Sequence, residues 1–361
     1  MRICCRRLQR MVANTHLIDT YFFVVTKTKA IHFNTNFLII QTYRLFFFCL
    51  AQCLVVILRA QPSANLKPVS SAPNEIFRAA RAHYDAGKYK EAEAEYTQVM
   101  RLGLRNGDVY IGRARAYYAL GLKPEAFADL TQVVENEPQN KIAFYLRGTV
   151  RYDLGDLDGA VEDYTKTIKL SPAQAEAYND RGNAYLSLGK IQLALTDFNK
   201  AIALDKNYAK AYCNRGCAYF ELTDYAASVA DHTTAIALKA DYAEAFHNRG
   251  LALLLQKNIA DALADVNKSL ELRPDFAEAY DSRGLIHLTM KQPDEAIADF
   301  TKSIEMKHPN LYVPYTNRGV ALELKGECSA AVADYLHALD LYKAYQRAKN
   351  YLAALMPKCK A

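Results

Sequence analysis

Residues 175–204 read AEAYNDRGNAYLSLGKIQLALTDFNKAIAL, and this stretch decides the fold. Apolar residues recur at helical spacing in Ala175–Leu188, a Gly-Lys dipeptide interrupts them, and the spacing resumes over Leu193–Leu204. A break of this kind between two periodic segments predicts two helices joined by a tight turn.

The same unit recurs along the chain at an interval of 34 residues, with one interval of 35. An aromatic residue stands four positions before a glycine in each copy, and a small residue follows twelve positions after it. The marking glycines are Gly148, Gly182, Gly216, Gly250, Gly284 and Gly319. Counting back to Ala114 and Ala80 gives eight units over residues 73–345. A period of this size predicts a stack of helical repeats rather than a compact globular domain.

The unit resembles the tetratricopeptide repeat, whose aromatic, glycine and small positions are filled in order by Tyr178, Gly182, Tyr185, Ala194, Phe198 and Ala201. This resemblance implies an all-α fold, a right-handed superhelical solenoid of about eight helix hairpins. A capping helix and tail over residues 346–361 would close the last unit. Repeat proteins of this kind bind other chains on extended concave surfaces, so the resemblance implies binding rather than catalysis.

One departure from the family pattern is regular. The residue before the glycine or its alanine equivalent is an arginine in seven units, and an aspartate follows each arginine after sixteen positions. We interpret the pairs as salt bridges between the two helices of each hairpin. The alternative is a charged ladder that contacts a ligand.

The resemblance places the first helix of each unit on the concave face. Side-chain carboxamides in a row can pair with both the N–H and the C=O of an extended peptide. The predicted partner-binding residues are Asn179, Asp180, Asn183, Asn214, Asn248, Ser282 and Asn317. The alternative is that these are surface residues without a ligand.

Family members that bind chaperone C-termini use lysine and arginine at several of these positions. Here Asn179 stands in place of one lysine, and Glu244 and Asn248 stand in place of a lysine and an arginine. We therefore do not expect binding of a C-terminal carboxylate.

A second row lies four residues after the glycine or its equivalent. Its members are Tyr84, Tyr118, Tyr152, Leu186, Phe220, Leu254 and Leu288. This row either edges the groove with pockets for partner side chains or packs in the core.

The net charge of +6 is unevenly distributed. Residues 1–60 contain eight Lys or Arg and one acid, whereas the remaining residues contain 37 basic and 38 acidic side chains. A neutral array argues against nucleic-acid partners, which require a basic stripe. No catalytic or cofactor motif is present, Asp156–Gly159 lacks the ligand spacing of a calcium loop, and the cysteines lack metal-ligand spacing, with Cys328 and Cys359 isolated.

Residues 1–59 form a basic segment with an apolar stretch at 37–58, and 60–72 is a Pro/Ser linker. The stretch is about long enough to cross a bilayer, and its basic flank would stay in the cytoplasm. A single-pass anchor with the array extracytosolic is our first interpretation. A cleaved secretory signal, an organelle presequence and an over-extended gene start with a cytoplasmic array are the alternatives.

These observations together predict a non-enzymatic scaffold that binds an extended or helical segment of another protein in its groove, without a cofactor or metal. It would act tethered to a membrane through residues 37–58 and assist complex assembly there. The alternative is a substrate-presenting accessory subunit of a separate enzyme.

Overall fold

The computed structural model describes residues 73–357 and 359, and these contain seventeen α-helices and no β-strand. The predicted anchor at 37–58 and the linker at 60–72 lie outside the described residues. In chain order the helices are α1 Pro73–Asp85, α2 Tyr89–Arg101, α3 Gly107–Ala119, α4 Lys123–Asn136, α5 Lys141–Leu154, α6 Leu157–Leu170, α7 Ala175–Ser187, α8 Ile191–Leu204, α9 Ala209–Glu221, α10 Tyr225–Leu238, α11 Ala243–Leu255, α12 Ile259–Leu272, α13 Ala277–Thr289, α14 Pro293–Glu305, α15 Tyr312–Leu324, α16 Cys328–Leu341 and α17 Gln346–Leu355.

The helices form eight hairpins, α1–α2 to α15–α16, followed by α17. Each first helix packs on the second helix of its own hairpin, and each second helix packs on the next first helix. The first helices of neighbouring repeats also touch each other along most of the array. The structure confirms the predicted all-α repeat solenoid.

The recurrent glycine lies where the two helices of a hairpin come closest. A Cβ atom added to Gly182 would lie 2.7 Å from Cε1 of Phe198, and one added to Gly284 would lie 2.6 Å from the Cε1 atom of Phe300. In both hairpins an aromatic ring of the second helix occupies the space that a larger residue on the first helix would need. Overpacking of such a site typically costs about 1–3 kcal/mol.

The turn between the two helices of each hairpin contains one residue with a left-handed backbone. Glycine occupies this position in five repeats, at Gly87, Gly121, Gly155, Gly189 and Gly326. In the other three repeats it is Thr223 (φ 61°), Lys257 (φ 64°) or Lys291 (φ 60°). The left-handed region costs a residue with a Cβ atom about 1–2 kcal/mol, and glycine adopts it without that cost.

Replacing Thr223, Lys257 and Lys291 together by glycine is therefore expected to stabilise the array. We expect about 1 kcal/mol for each position, less than the steric cost because glycine also loses more chain entropy on folding. Urea denaturation followed by circular dichroism measures the gain. Gly189→Ala is the matched control and should destabilise the array. An unchanged or lower midpoint for the triple variant would contradict the prediction.

The interval of 35 residues is accommodated between α14 and α15. Lys307 adopts a left-handed backbone (φ 56°), and the adjacent His308 is buried. The Nδ1 atom of His308 accepts a hydrogen bond from the backbone N–H of Asn310 at 3.0 Å. The extra residue thus lengthens one junction loop and leaves the helix register of the eighth repeat intact. Pro309 lies in this loop, where its missing N–H interrupts no helix hydrogen bond.

The helix α17 covers the last hairpin, as predicted for a capping helix. Leu355 is buried, and the ring of Tyr351 stacks on that of Tyr335 at a centroid distance of 5.6 Å. The expectation that Cys328 and Cys359 are isolated is wrong, because the two form a disulfide bond. They are separated by 31 residues in sequence, and α17 brings the tail back to the start of α16.

Candidate protein-binding surface

The arginine–aspartate pairs join the two helices of seven hairpins. In each, the Nε and Nη2 atoms of the arginine donate to the two carboxylate oxygens of the aspartate over 2.7–2.8 Å. The pairs are Arg113–Asp129, Arg147–Asp163, Arg181–Asp197, Arg215–Asp231, Arg249–Asp265, Arg283–Asp299 and Arg318–Asp334. Bidentate geometry of this kind is the strongest form of a carboxylate–guanidinium contact.

In six of the seven pairs, all except that of Arg147, the remaining nitrogen of the guanidinium donates to a side chain of the preceding repeat. The Nη1 atom of Arg215 donates to Oδ1 of Asn199 at 2.6 Å, and that of Arg249 donates to Oγ1 of Thr233 at 3.1 Å. The Arg215 guanidinium also lies 5.4 Å from the ring centroid of Tyr212. The hydrogen bond with Asp231 raises the pKa of Arg215. The contacts of the Arg215 guanidinium therefore hold the two helices of its hairpin and the neighbouring repeat together. None of them supports the alternative that these arginines form a charged ladder for a ligand.

The predicted asparagine row makes a different set of contacts, between neighbouring first helices. In five repeats, the residue two positions before the marking glycine forms a hydrogen bond with a residue of the preceding repeat. That partner lies three positions before the marking glycine of its own repeat. We call these five pairs the polar ladder: Tyr145–Asp180 (2.6 Å), Asn179–Asn214 (2.8 Å), Cys213–Asn248 (3.8 Å), His247–Ser282 (2.8 Å) and Asp281–Asn317 (2.9 Å).

Burial separates the seven predicted partner-binding residues into two groups. Asn179, Asn214, Asn248, Ser282 and Asn317 are at most 3 % exposed. Asp180 and Asn183 are half-buried and remain accessible. Hydrogen bonds across the polar ladder satisfy the buried members laterally. The role of all seven in partner binding stays a prediction.

Asp180 is the most connected member of the polar ladder. Its carboxylate accepts hydrogen bonds from the Tyr145 hydroxyl, from Asn179 Nδ2 at 2.8 Å and from Lys210 Nζ at 3.1 Å. Burial and the Asp180 charge raise the pKa of Tyr145, so this hydroxyl stays a donor. Asp180 thereby links three consecutive first helices, α5, α7 and α9.

The last pair of the polar ladder continues into the capping helix. Asn317 Nδ2 donates to Asp281, and Arg347 Nη1 on α17 donates to Asn317 Oδ1 at 3.1 Å. Burial raises the pKa of Asp281 to about 7, against the lowering effects of the Asn317 hydrogen bond and the Arg347 charge. The capping helix therefore completes the hydrogen bonding of the last repeats as well as covering their apolar side chains.

The row four residues after the glycine changes character along the array. Leu186, Phe220 and Leu254 are at most 5 % exposed, which confirms packing for these three. The earlier members are tyrosines, and Tyr118 is 37 % exposed. The Tyr118 hydroxyl donates to Oδ2 of Asp153 on the next first helix at 2.7 Å. The accessible members of this row are the three tyrosines of repeats one to three and the half-buried Leu288 of the seventh repeat.

Residue types suited to catalysis or metal binding do not converge in the described part of the chain. No group of three or more His, Cys, Asp or Glu there could hold a metal ion. Asp156 caps the first turn of α6, because its Oδ1 accepts from the backbone N–H of Gly159 at 3.0 Å. None of the described helices is long and apolar enough to cross a membrane.

Comparison with protein families agrees with the repeat geometry. Models of the tetratricopeptide repeat match residues 77–141, 148–189, 182–223, 213–275 and 277–308, which together cover more than half of the chain. No curated protein sequence matches the chain.

Solved structures with similar folds are also repeat solenoids. A tetratricopeptide repeat protein from Parabacteroides merdae superposes with a TM-score of 0.57 at 20 % identity, over 69 % of this chain and 98 % of that one. The Cut9–Hcn1 complex of the anaphase-promoting complex gives 0.61 at 14 % identity, over 80 % and 57 %. PilF of Pseudomonas aeruginosa gives 0.52 at 18 % identity, over 59 % and 97 %. The repeat spacing, the helix-hairpin stack and the family matches together show that the chain belongs to the tetratricopeptide repeat family.

Proposed function

We propose that this protein is a non-enzymatic scaffold that binds an extended or helical segment of a partner protein along its first helices. The observation that carries the proposal is the accessibility of polar and aromatic side chains on the first helices of repeats two to four, including Tyr118, Tyr152 and Asn183. Side chains of this kind combine apolar area with hydrogen-bonding groups, which suits recognition of a peptide. The near-neutral charge of residues 61–361 argues against nucleic acid as the partner.

In this proposal Asp180 and Asn183 contact the partner directly. The buried members of the polar ladder hold neighbouring first helices in register, so that the accessible side chains face the same groove. We also propose that residues 37–58 tether the array to a membrane, with the array on the extracytosolic side. The support for the tether is the length of the apolar stretch and its basic flank.

Site-specific photo-cross-linking tests both parts. A benzophenone amino acid is placed at Tyr152 on a first helix, and in a matched variant at Leu193, which is 49 % exposed on a second helix. After irradiation in the protein's own cells, membrane and soluble fractions are analysed separately. We expect cross-links to a defined partner about tenfold more abundant from the Tyr152 position, because contact requires the groove.

Equal cross-linking from the Tyr152 and Leu193 positions would contradict a groove-bound partner. The tether is tested by mass spectrometry of the same fractions. It predicts an intact N-terminal segment in the membrane fraction, and protein that begins near residues 60–73 in the soluble fraction would overturn it.

A further inference from the structure

The inner face of each first helix consists of residues at positions i, i+4 and i+7, which lie on one side of a helix. In the first three repeats these sets are Phe77, Arg81 and Tyr84, then Ile111, Arg115 and Tyr118, then Tyr145, Thr149 and Tyr152. From the fourth to the seventh repeat the i+7 residues are Leu186, Phe220, Leu254 and Leu288. The first three repeats therefore present tyrosine at i+7, where the fourth to seventh present leucine or phenylalanine, and the first two repeats also carry an arginine at i+4.

Arg81 and Arg115 are the unusual members of this face. Both are exposed, and neither makes a hydrogen bond or ion pair within the described residues. The neighbouring Arg113, by contrast, is held by Asp129. Two guanidinium groups are thus accessible on the inner face of adjacent repeats. By contrast, the arginines that precede the glycine or its alanine equivalent are paired with aspartates.

Arg81 and Arg115 occupy equivalent positions, 34 residues apart, on the neighbouring first helices α1 and α3, which contact each other. Burial raises the pKa of Tyr96, and the positive charges of both Arg81 and Arg115 act to lower it. The Tyr96 ring fills the space beside Gly112, where a Cβ atom would collide with it. Gly112 occupies the position at which later repeats carry a member of the polar ladder. The Tyr96 ring is 3 % exposed and therefore packs in the core.

The acidic residues nearby leave the two arginines available. Asp85 is exposed at the end of α1. Its negative charge acts to raise the pKa of Tyr96, whereas the charges of the two arginines act to lower it. Asp153 already accepts a hydrogen bond from Tyr118 and lies 3.4 Å from Lys123 Nζ. An incoming carboxylate therefore meets two guanidinium groups that have no partner among the described residues, beside the phenol rings of Tyr84 and Tyr118.

We propose that Arg81, Tyr84, Arg115 and Tyr118 form an interaction surface for a carboxylate-rich segment of the partner protein. This inference rests on the proposed function and names the chemistry of the partner. Arginine presents a planar fork that matches a carboxylate, and tyrosine supplies contact area with a donor at its tip. The arginines are contributed by successive repeats, so the surface favours acidic residues distributed along a segment over a single terminal carboxylate.

Fluorescence anisotropy with the full chain and two labelled peptides tests the proposal. One peptide alternates glutamate with leucine, and the matched peptide carries lysine in place of each glutamate. We expect the glutamate peptide to bind about tenfold more tightly at low salt, and the difference to shrink at high salt. The double variant R81E/R115E should reverse the preference. The matched control, K90E/R101E, changes the same charge at exposed sites on α2 and should leave it unchanged.

A reversed preference in R81E/R115E cannot result from misfolding, because a destabilised array would bind both peptides more weakly. Equal binding of the two peptides, or an unchanged preference in R81E/R115E, would overturn the proposal. The cross-linking comparison between Tyr152 and Leu193 decides the groove separately. A positive result there with no acidic preference here would leave a scaffold whose partner has other chemistry.

Discussion

Replacing Arg215 by alanine is expected to lower the free energy of unfolding by about 3–5 kcal/mol, a large part of the stability of a typical domain. The change leaves the carboxylate of Asp231, which is 6 % exposed, without its bidentate partner. It also removes the hydrogen bond to Asn199 in the preceding repeat and the contact with the Tyr212 ring. One substitution therefore weakens the hairpin and its junction with the neighbouring hairpin.

Denaturation in urea, with hydrogen exchange resolved by repeat, measures this loss. Arg81→Ala is the matched control and should change stability by less than about 0.5 kcal/mol, because Arg81 is exposed and has no hydrogen bond or ion pair within the described part of the chain. In a solenoid each repeat contacts only its neighbours, so faster exchange should be confined to the fourth to sixth repeats.

The double variant R215M/D231L separates the pair itself from the unpaired carboxylate. Removal of both charges should recover most of the loss, because a buried ion pair can be replaced by apolar side chains of similar volume at little cost. A single variant R215A within about 1 kcal/mol of the parent protein would show that the pair contributes little.

The interval of 34 residues was enough to predict the hairpins and the arginine–aspartate pairs, because both depend on positions that repeat with the period. The third contact of the arginine could not be predicted in the same way. This contact depends on how one hairpin is rotated against the next. Its acceptor is a threonine hydroxyl in some repeats, such as Thr233, and an asparagine carboxamide in others, such as Asn199. The disulfide between Cys328 and Cys359 was missed because it depends on the turn that α17 makes after the last repeat.

The polar ladder shows why the candidate site was only partly predictable. Its asparagine members share a residue type and so were visible in the sequence. Their partners three positions before the glycine share none: they include Tyr145, Cys213 and Asp281. A search for a repeated residue type cannot find a position at which each repeat has its own chemistry. Without those partners, the buried lateral bonding of Asn214 and Asn248 could not be distinguished from exposure on the groove.

His232 also departs from the repeat pattern. Its burial leads us to expect that the free energy of unfolding depends strongly on pH. It occupies the second-helix position that Phe198 and Phe300 fill in other repeats, with its ring against Gly216. It is fully buried, and neither ring nitrogen has a hydrogen-bond partner. Burial, with a smaller effect of the Arg249 charge, lowers the pKa of His232 to about 3.

The direction of the pH effect follows from the two pKa values. The unfolded chain binds a proton at His232 once the pH falls below about 6.5, whereas the folded protein keeps the ring neutral until about pH 3. The contribution of the neutral His232 ring to the free energy of unfolding is therefore fully present above pH 6.5. It decreases by about 1.4 kcal/mol per pH unit as the pH falls from 6.5 towards 3. His247, whose pKa burial also lowers to about 3, contributes a second loss of the same sign.

His232→Phe should therefore stabilise the array at every pH and flatten its pH dependence. At neutral pH we expect a gain of about 1–3 kcal/mol, because the substitution removes two buried nitrogens that lack partners. At pH 4.5 the gain should be larger by about 2–3 kcal/mol, since the proton uptake of the unfolded state at this residue is gone. His247 retains its share of the slope, and its Nε2 atom lies 2.8 Å from the Ser282 hydroxyl, so His247→Phe should stabilise less at neutral pH. Urea titrations at several pH values measure both effects, with the exposed His337→Phe as the control for added apolar area. An unaltered slope in His232→Phe would mean that the buried ring is protonated in the folded array and that a charge is accommodated beneath Gly216.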